Sequence, residues 1–122
     1  YTEGATWTIR SVLAHFVTSE RGLLKLFESI RQGGAGASED FSIDRYNAAM
    51  QARTQELTPQ ELLEQYKSTR AETVAWTLGL SEHDLEKQGR HPFMGMSTIR
   101  DMLKMLYIHN LNHYRDMKKV LK

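Results

Sequence analysis

The sequence predicts an all-α, bundle-like domain, and three observations carry that expectation. Only two prolines interrupt 122 residues. No stretch sustains the alternation of β-branched residues that a strand would show. Apolar residues recur at helical spacing in three long segments. The length suits one domain, residues 1–122, with a single core.

The first helix is expected from about Trp7 to Arg31, with Thr6 as its N-cap and Ile9, Val12, Leu13, Phe16, Leu23, Leu24, Phe27 and Ile30 tracing the apolar stripe. Gly33-Gly34-Ala35-Gly36 ends it, because glycine supplies a left-handed cap and then a flexible loop. Asp44 is expected to cap a shorter helix, about Arg45 to Gln55, with Tyr46, Ala49 and Met50 inward. Thr58-Pro59-Gln60-Glu61 reads as a helix start, with a capping hydroxyl, proline at the first helical position and an acidic first turn. That helix carries Leu62, Leu63, Tyr66, Thr73, Val74 and Leu78 and stops near Gly79. Ser81 to Leu85 reads as a turn or helical stub, and Gly89 to Met96 as irregular chain. Ser97 is expected to cap the last helix, whose face is Ile99, Met102, Leu103, Leu106, Asn110, Met117 and Leu121. Asp101 suits its positive end, and Lys118, Lys119 and Lys122 its negative end.

Bulk composition removes several classes of function. Hydrophobic residues make up 40% and charged residues 25%, with a net charge of +1 and no basic tract, so nucleic acid is not an expected partner. No window approaches the ~18 apolar residues of a membrane span. The absence of cysteine excludes disulfides, thiolate ligands and a cysteine nucleophile, and fits a cytoplasmic location. The sequence opens on Tyr1, and Tyr1 to Thr6 lacks the regions of a signal peptide; absent upstream sequence is the expected reason.

His109 and His113 stand four residues apart in the last helix, which stacks two imidazoles on one face. At ~100° per residue, His113 falls within ~40° of the centre of that helix's apolar stripe and His109 within ~70° on the same side. His15 lies at the flank of the first stripe. With a rise of ~1.5 Å per residue, His15 is ~12 Å past the start of its helix and His113 ~12 Å before the end of the last one. Antiparallel packing of those helices brings the three to one level. Neutral imidazole suits Zn²⁺, Ni²⁺, Fe²⁺ and Cu²⁺, and three protein ligands leave positions for water or substrate. No glutamate precedes any of the three by three positions, which removes the ferritin-like di-iron motif, and the His-Glu-x-x-His protease motif is also absent. The residues alone leave a second reading open, in which half-buried histidines only pack.

Trp7-Thr8-Ile9-Arg10-Ser11-Val12-Leu13-Ala14-His15 resembles the opening of the metal-bearing helix in the DinB/YfiT-like superfamily of metalloenzymes and thiol-dependent transferases. His91-Pro92-Phe93-Met94-Gly95-Met96-Ser97, followed by a helix with His109 and His113, resembles the other half of that pattern. Asp44-Arg45-Tyr46-Asn47 resembles a segment common near the maleylpyruvate-isomerase N-terminal-domain branch. The resemblance covers nearly the whole chain. It implies a four-helix bundle with long crossover connections and a divalent metal (Zn, Ni or Fe) held by His15, His109 and His113 plus water. The pattern places a complete helix before the tryptophan motif, where six residues precede Trp7 here. Three long helices would leave apolar stripes partly uncovered. An absent N-terminal helix, or a second copy in a homodimer, resolves that exposure.

Three further residues are weighed for chemistry. Arg70 lies near the inward face of the third helix, where it could receive a substrate carboxylate or instead pair with a glutamate. His91 could close over the site as a proton donor or simply shape its loop. Asp116 could orient an imidazole or stand in solvent. Three functions follow. The first is a metal-dependent enzyme on a small-molecule substrate, either a thiol transferase or isomerase using a low-molecular-weight thiol cosubstrate, or a hydrolase. The second is a non-catalytic metal-binding or stress-associated module. The third is a helical domain in which the histidines are structural.

Overall fold

A computed structural model describes residues 8–121, with side chains described through Lys119. Thr6, Trp7 and Lys122 lie outside the described residues, as does the side chain of Leu121. The element order is α1 (Ile9–Arg31), α2 (Ile43–Thr54), α3 (Pro59–Leu78), α4 (Glu82–Leu85), β1 (Gln88–His91), β2 (Gly95–Thr98) and α5 (Ile99–Leu121). The protein is an all-α helical bundle carrying one small β-hairpin.

Helix α1 is the hub, packed by α2, α3 and α5. Its partners along α3 rise in step with its own numbering, from Phe16 beside Tyr66 through Arg21 on Thr69 to Glu28 on Trp76, so those two helices run parallel. The order reverses along α2, where Tyr46 reaches Thr18 and Gln51 reaches Ser11. It also reverses along α5, since His15 meets His109 while Phe27 and Ile30 cluster with Ile99 and Met102. The antiparallel seam that the histidine argument required is therefore present. Its far end holds the main apolar cluster of Phe27, Ile30, Ile99, Met102 and Leu106, with Leu23, Leu26, Trp76 and Leu103 packed around it.

Most helix ends are where local chemistry puts them. Thr58 and Glu61 form a reciprocal capping box with Pro59 in the first turn, and α3 stops at Gly79. Three caps shift by one or two residues. The Thr8 side chain caps α1 by accepting from Ser11 N. Ser42, not Asp44, caps α2, and Asp44 lies in the first turn, where its charge meets the helix's positive end. Thr98, not Ser97, accepts from Asp101 N at the start of α5, while the Ser97 hydroxyl donates to Gly95 O.

The segment expected to be irregular is instead the hairpin β1–β2, paired from Gln88 with Thr98 to His91 with Gly95. Its strands are four residues each, too short to display the period of two in sequence. Gly95 closes the turn at φ +69°, a conformation glycine adopts freely. A single parallel bridge from Gly36 to Arg90 ties the hairpin to the loop after α1. A Cβ at Gly36 would come 2.3 Å from Arg90 N, so no other residue fits there.

Two inward assignments also change. Asn47 and Thr54 are the buried residues of α2, and Ala49 is exposed. In α3 Leu62 and Thr73 are buried as expected and Thr69 joins them, whereas Leu63, Val74 and Leu78 stand exposed. The cause is Glu20, fully buried on α1, which turns a polar row of α3 toward itself. Arg70 Nη2 donates to Glu20 Oε1 at 2.7 Å, and Thr73 Oγ1 donates to Oε2 at 2.7 Å. The apolar remainder of α3 faces a groove shared with Leu103 and Tyr107 of α5.

Glu28 makes a second polar tie. Its carboxylate accepts from Arg31, Trp76 Nε1 and Gln32, and these bonds, Arg31 foremost, hold its pKa well below the usual 4.5.

Replacing Glu20 with alanine strands Thr73 and Arg70, and is expected to lower stability by about 2–3 kcal/mol in urea unfolding, the scale of hydrogen bonds to a charged group. A loss below roughly 0.5 kcal/mol, the range of neutral surface changes, would contradict that account. For Glu28 the folded pKa is depressed, so its contribution is present above the unfolded value and is lost as pH falls through the folded one. Glu28→Gln is expected to destabilise at pH 7 and to show a flatter loss of thermal midpoint on acidification than the parent.

Candidate metal centre

The seam between α1 and α5 opens at the end away from the apolar cluster, and there three imidazoles meet. His15 comes from α1, and His109 and His113 from successive turns of α5. One ring nitrogen from each lies within 4.8 Å of those of the other two. Ring centroids are 4.9 Å apart for His15 and His109, 5.1 Å for His15 and His113, and 4.7 Å for the α5 pair. The interplanar angles of 65°, 72° and 78° set the rings edge to face around a common point. His15 and His113 are each 3% exposed, and Phe16 shields His113 at an edge-on 5.7 Å.

The donor chemistry fits a divalent cation. His109 Nδ1 donates to Asn110 Oδ1 at 3.1 Å, which leaves a lone pair on Nε2. That Nε2 lies 3.0 Å from His15 Nε2. Two lone pairs cannot face each other at this distance, so a proton or a cation belongs between them. Two nitrogens each ~2.0–2.1 Å from one tetrahedral metal are ~3.3 Å apart, so a small outward shift of the rings converts the contact into a ligand pair. Among the described residues no carboxylate joins the cluster. An all-imidazole set matches Zn²⁺, Ni²⁺ or Fe²⁺ better than the oxygen-seeking Mg²⁺ or Ca²⁺.

A cavity of about 220 Å³ adjoins the cluster. His15 and His109 form its floor, α1 and α2 supply walls through Leu23, Leu26 and Asn47, and Phe41 and Phe93 stand at loops on its rim. Gly22 also lines it, and a Cβ there would come 2.6 Å from Tyr46 Oη. That hydroxyl donates to Thr18 O at 2.9 Å, with burial raising its pKa, so it stays protonated and locks α2 against α1.

Residues 2–117 match the sequence pattern of one family. The chain belongs to the DinB superfamily. No curated protein and no solved structure matches it. Membership accords with a bundle that brings three histidines together, and the convergence itself was legible from spacing and axial level.

Other residues of this DinB-superfamily chain fall differently. Arg70 is paired with Glu20 and lies along the α3–α5 groove, not in the cavity beside the histidines. His91 does line that cavity. Its Nδ1 accepts from Phe93 N at 3.1 Å and Met94 N at 3.3 Å, which puts the ring proton on Nε2. Burial, and then the neighbouring His109, push its pKa down to about 4, so the ring is neutral at pH 7 and offers a hydrogen bond, not a labile proton. Asp116 is exposed, 3.9 Å from Lys119, and takes no part.

Two functional positions carried no sequence signal strong enough to single them out. Asn110 read as one more residue of the inward face, yet it orients His109 while its own Nδ2 stays buried without a hydrogen bond. Ser19, one turn beyond His15, drew no reading from the sequence, yet it lines the cavity with its hydroxyl buried and without a hydrogen bond.

Removing the Asn110 amide with Asn110→Leu is expected to weaken divalent-metal binding by about 10–100-fold, the usual effect of losing a ligand's orienting partner. Competition against a chromophoric chelator measures it, and unchanged affinity would show that Asn110 has no orienting role.

Proposed function

We propose that the chain is a metal-dependent enzyme whose mononuclear divalent centre, held by His15, His109 and His113, acts on a small molecule received in the adjoining cavity. The observation that carries this reading is the convergence of three imidazoles, two of them buried, with His15 and His109 at the floor of a cavity. Purely structural histidines have no reason to adjoin an opening. Three protein ligands leave coordination positions open, the arrangement typical of catalytic rather than structural zinc. Such a metal supplies Lewis acidity and favours the anionic form of a water or thiol at its open position.

The chain's own residues would do the remainder. Asn110 fixes the His109 tautomer, Phe16 and the apolar walls exclude water, and His91 offers Nε2–H near the same opening. The chemistry divides between thiol transfer or isomerisation, in which a low-molecular-weight thiol must come from outside because the chain has no cysteine, and hydrolysis. The family resemblance supports the two chemistries about equally.

Protein purified without a histidine tag is expected to carry or take up one equivalent of Zn²⁺, Ni²⁺ or Fe²⁺ by elemental analysis. His15→Ala, His109→Ala and His113→Ala should each lose it. Metal content that is substoichiometric and indifferent to all three substitutions would sink the proposal. A metal-loaded protein with no turnover above the metal-free form across thiols, electrophiles and esters would favour a non-catalytic metal-binding module instead.

A further inference from the structure

Among the described residues, no Asp, Glu, Lys or Arg lines the cavity beside the histidines, although charged residues make up 25% of the sequence. Its walls are Leu23, Leu26, Ile43, Phe93, Met105 and similar apolar side chains, with Asn47 as a polar one. A cation entering it would shed its water and meet no counter-charge, and an anion would find one only at the metal. The polar groups that do face it are few and placed toward the histidine end. Ser19, one helical turn beyond His15, lines the cavity, but its Oγ is buried away from it and offers a ligand no hydrogen bond. His91 has its Nδ1 committed to two backbone N–H groups, so its one remaining polar atom is a donor. Tyr46 is not available, because its hydroxyl is spent on Thr18 O.

We propose that this cavity takes a small, non-cationic, mainly apolar molecule with one polar acceptor group, seated head-first at the histidines and hydrogen-bonded by His91. The size limit follows from volume. A dry cavity of ~150 Å³ holds benzene, so about 220 Å³ admits a ring with a short side chain. A carbonyl compound of that size accepts from His91 while leaving its hydrocarbon end against Leu23, Leu26 and Phe93. A charged or sugar-bearing thiol does not fit this wall, so any thiol cosubstrate would enter from the rim. The inference depends on the metal reading only for what the head group meets; the walls select the ligand with or without metal.

Calorimetry on the whole chain, metal-loaded and metal-free, tests it with probes of matched size: phenylacetone, propylbenzene and phenethylammonium. Phenylacetone is expected to bind roughly tenfold or more tightly than phenethylammonium in both forms, given the cost of burying an unpaired ammonium. Ala37→Phe, which fills the cavity from its loop, should abolish phenylacetone binding and leave metal stoichiometry unchanged. Met105→Trp fills it from α5 and serves the same purpose if the first variant does not fold. Phenylacetone should bind severalfold more tightly than propylbenzene, and His91→Phe should remove that difference. Equal or tighter binding of phenethylammonium, or full phenylacetone affinity in a folded cavity-filled variant, overturns the proposal. If the chain takes up no metal but metal-free protein still prefers phenylacetone, the metal centre fails and the ligand class stands.

Discussion

A helix packed on three sides can keep polar side chains only where its neighbours answer them, and α1 is such a helix. Unanswered polar groups in a protein interior are costly, and a buried charge more so. Apart from Ser19, the buried polar residues of α1 therefore select the neighbour opposite. Glu20 is met by Arg70 and Thr73 of α3, the Thr18 carbonyl by Tyr46 of α2, and His15 by the imidazoles of α5. Arg10, at the other end, donates to the carbonyls of Thr54 and Leu57 where α2 runs out. Apolar packing supplies the driving force, but these pairings fix the register in which each helix lies on α1. A shift of α5 by one turn would preserve much of the apolar contact and dismantle the histidine cluster.

The same logic explains which parts of the molecule could be seen in the sequence. Histidines at 15, 109 and 113 were legible because helical periodicity and rise are local rules, and an antiparallel seam adds only one assumption. Glu20 was not, because a glutamate in an amphipathic helix reads as surface until the chain that covers it is known. Its burial then changed part of the reading of α3: Leu62 and Thr73 face inward as expected, but Thr69 joins them while Val74 and Leu78 do not. Ser19 and Asn110 escaped for a related reason: their roles are defined by an empty space and by a ring that only the folded chain creates. The caps missed by one or two residues did so because neighbouring residues compete for the same N–H, as Ser97 and Thr98 do. The hairpin was hidden by strands too short to show a period.

The cavity beside the histidines owes its shape to loops held by backbone contacts rather than by side chains. Gly36 meets Arg90 backbone to backbone, and Ala37 N donates to Arg90 O at 2.8 Å. This stitches the loop after α1 to the hairpin that carries His91 to the cavity wall. The hairpin turn in its own right binds His91 Nδ1 through two N–H groups, so the ring has little freedom to rotate. Wall and floor are thus positioned by different means: the floor by helix register, and the rim by a glycine-dependent bridge.

His15 and His109 are 94 positions apart in the chain, so their contact is among the last a folding polypeptide can make. Local helices and the turn at Gly95 form without it. A cation gripped by both α1 and α5 would act as a clasp across that span, holding together two segments that otherwise meet only through packing. Its affinity would then be felt as resistance of the seam to opening, since ligand bound to the closed chain alone stabilises it. The centre would serve as its own record of completed folding, because no partly folded chain presents all three imidazoles together.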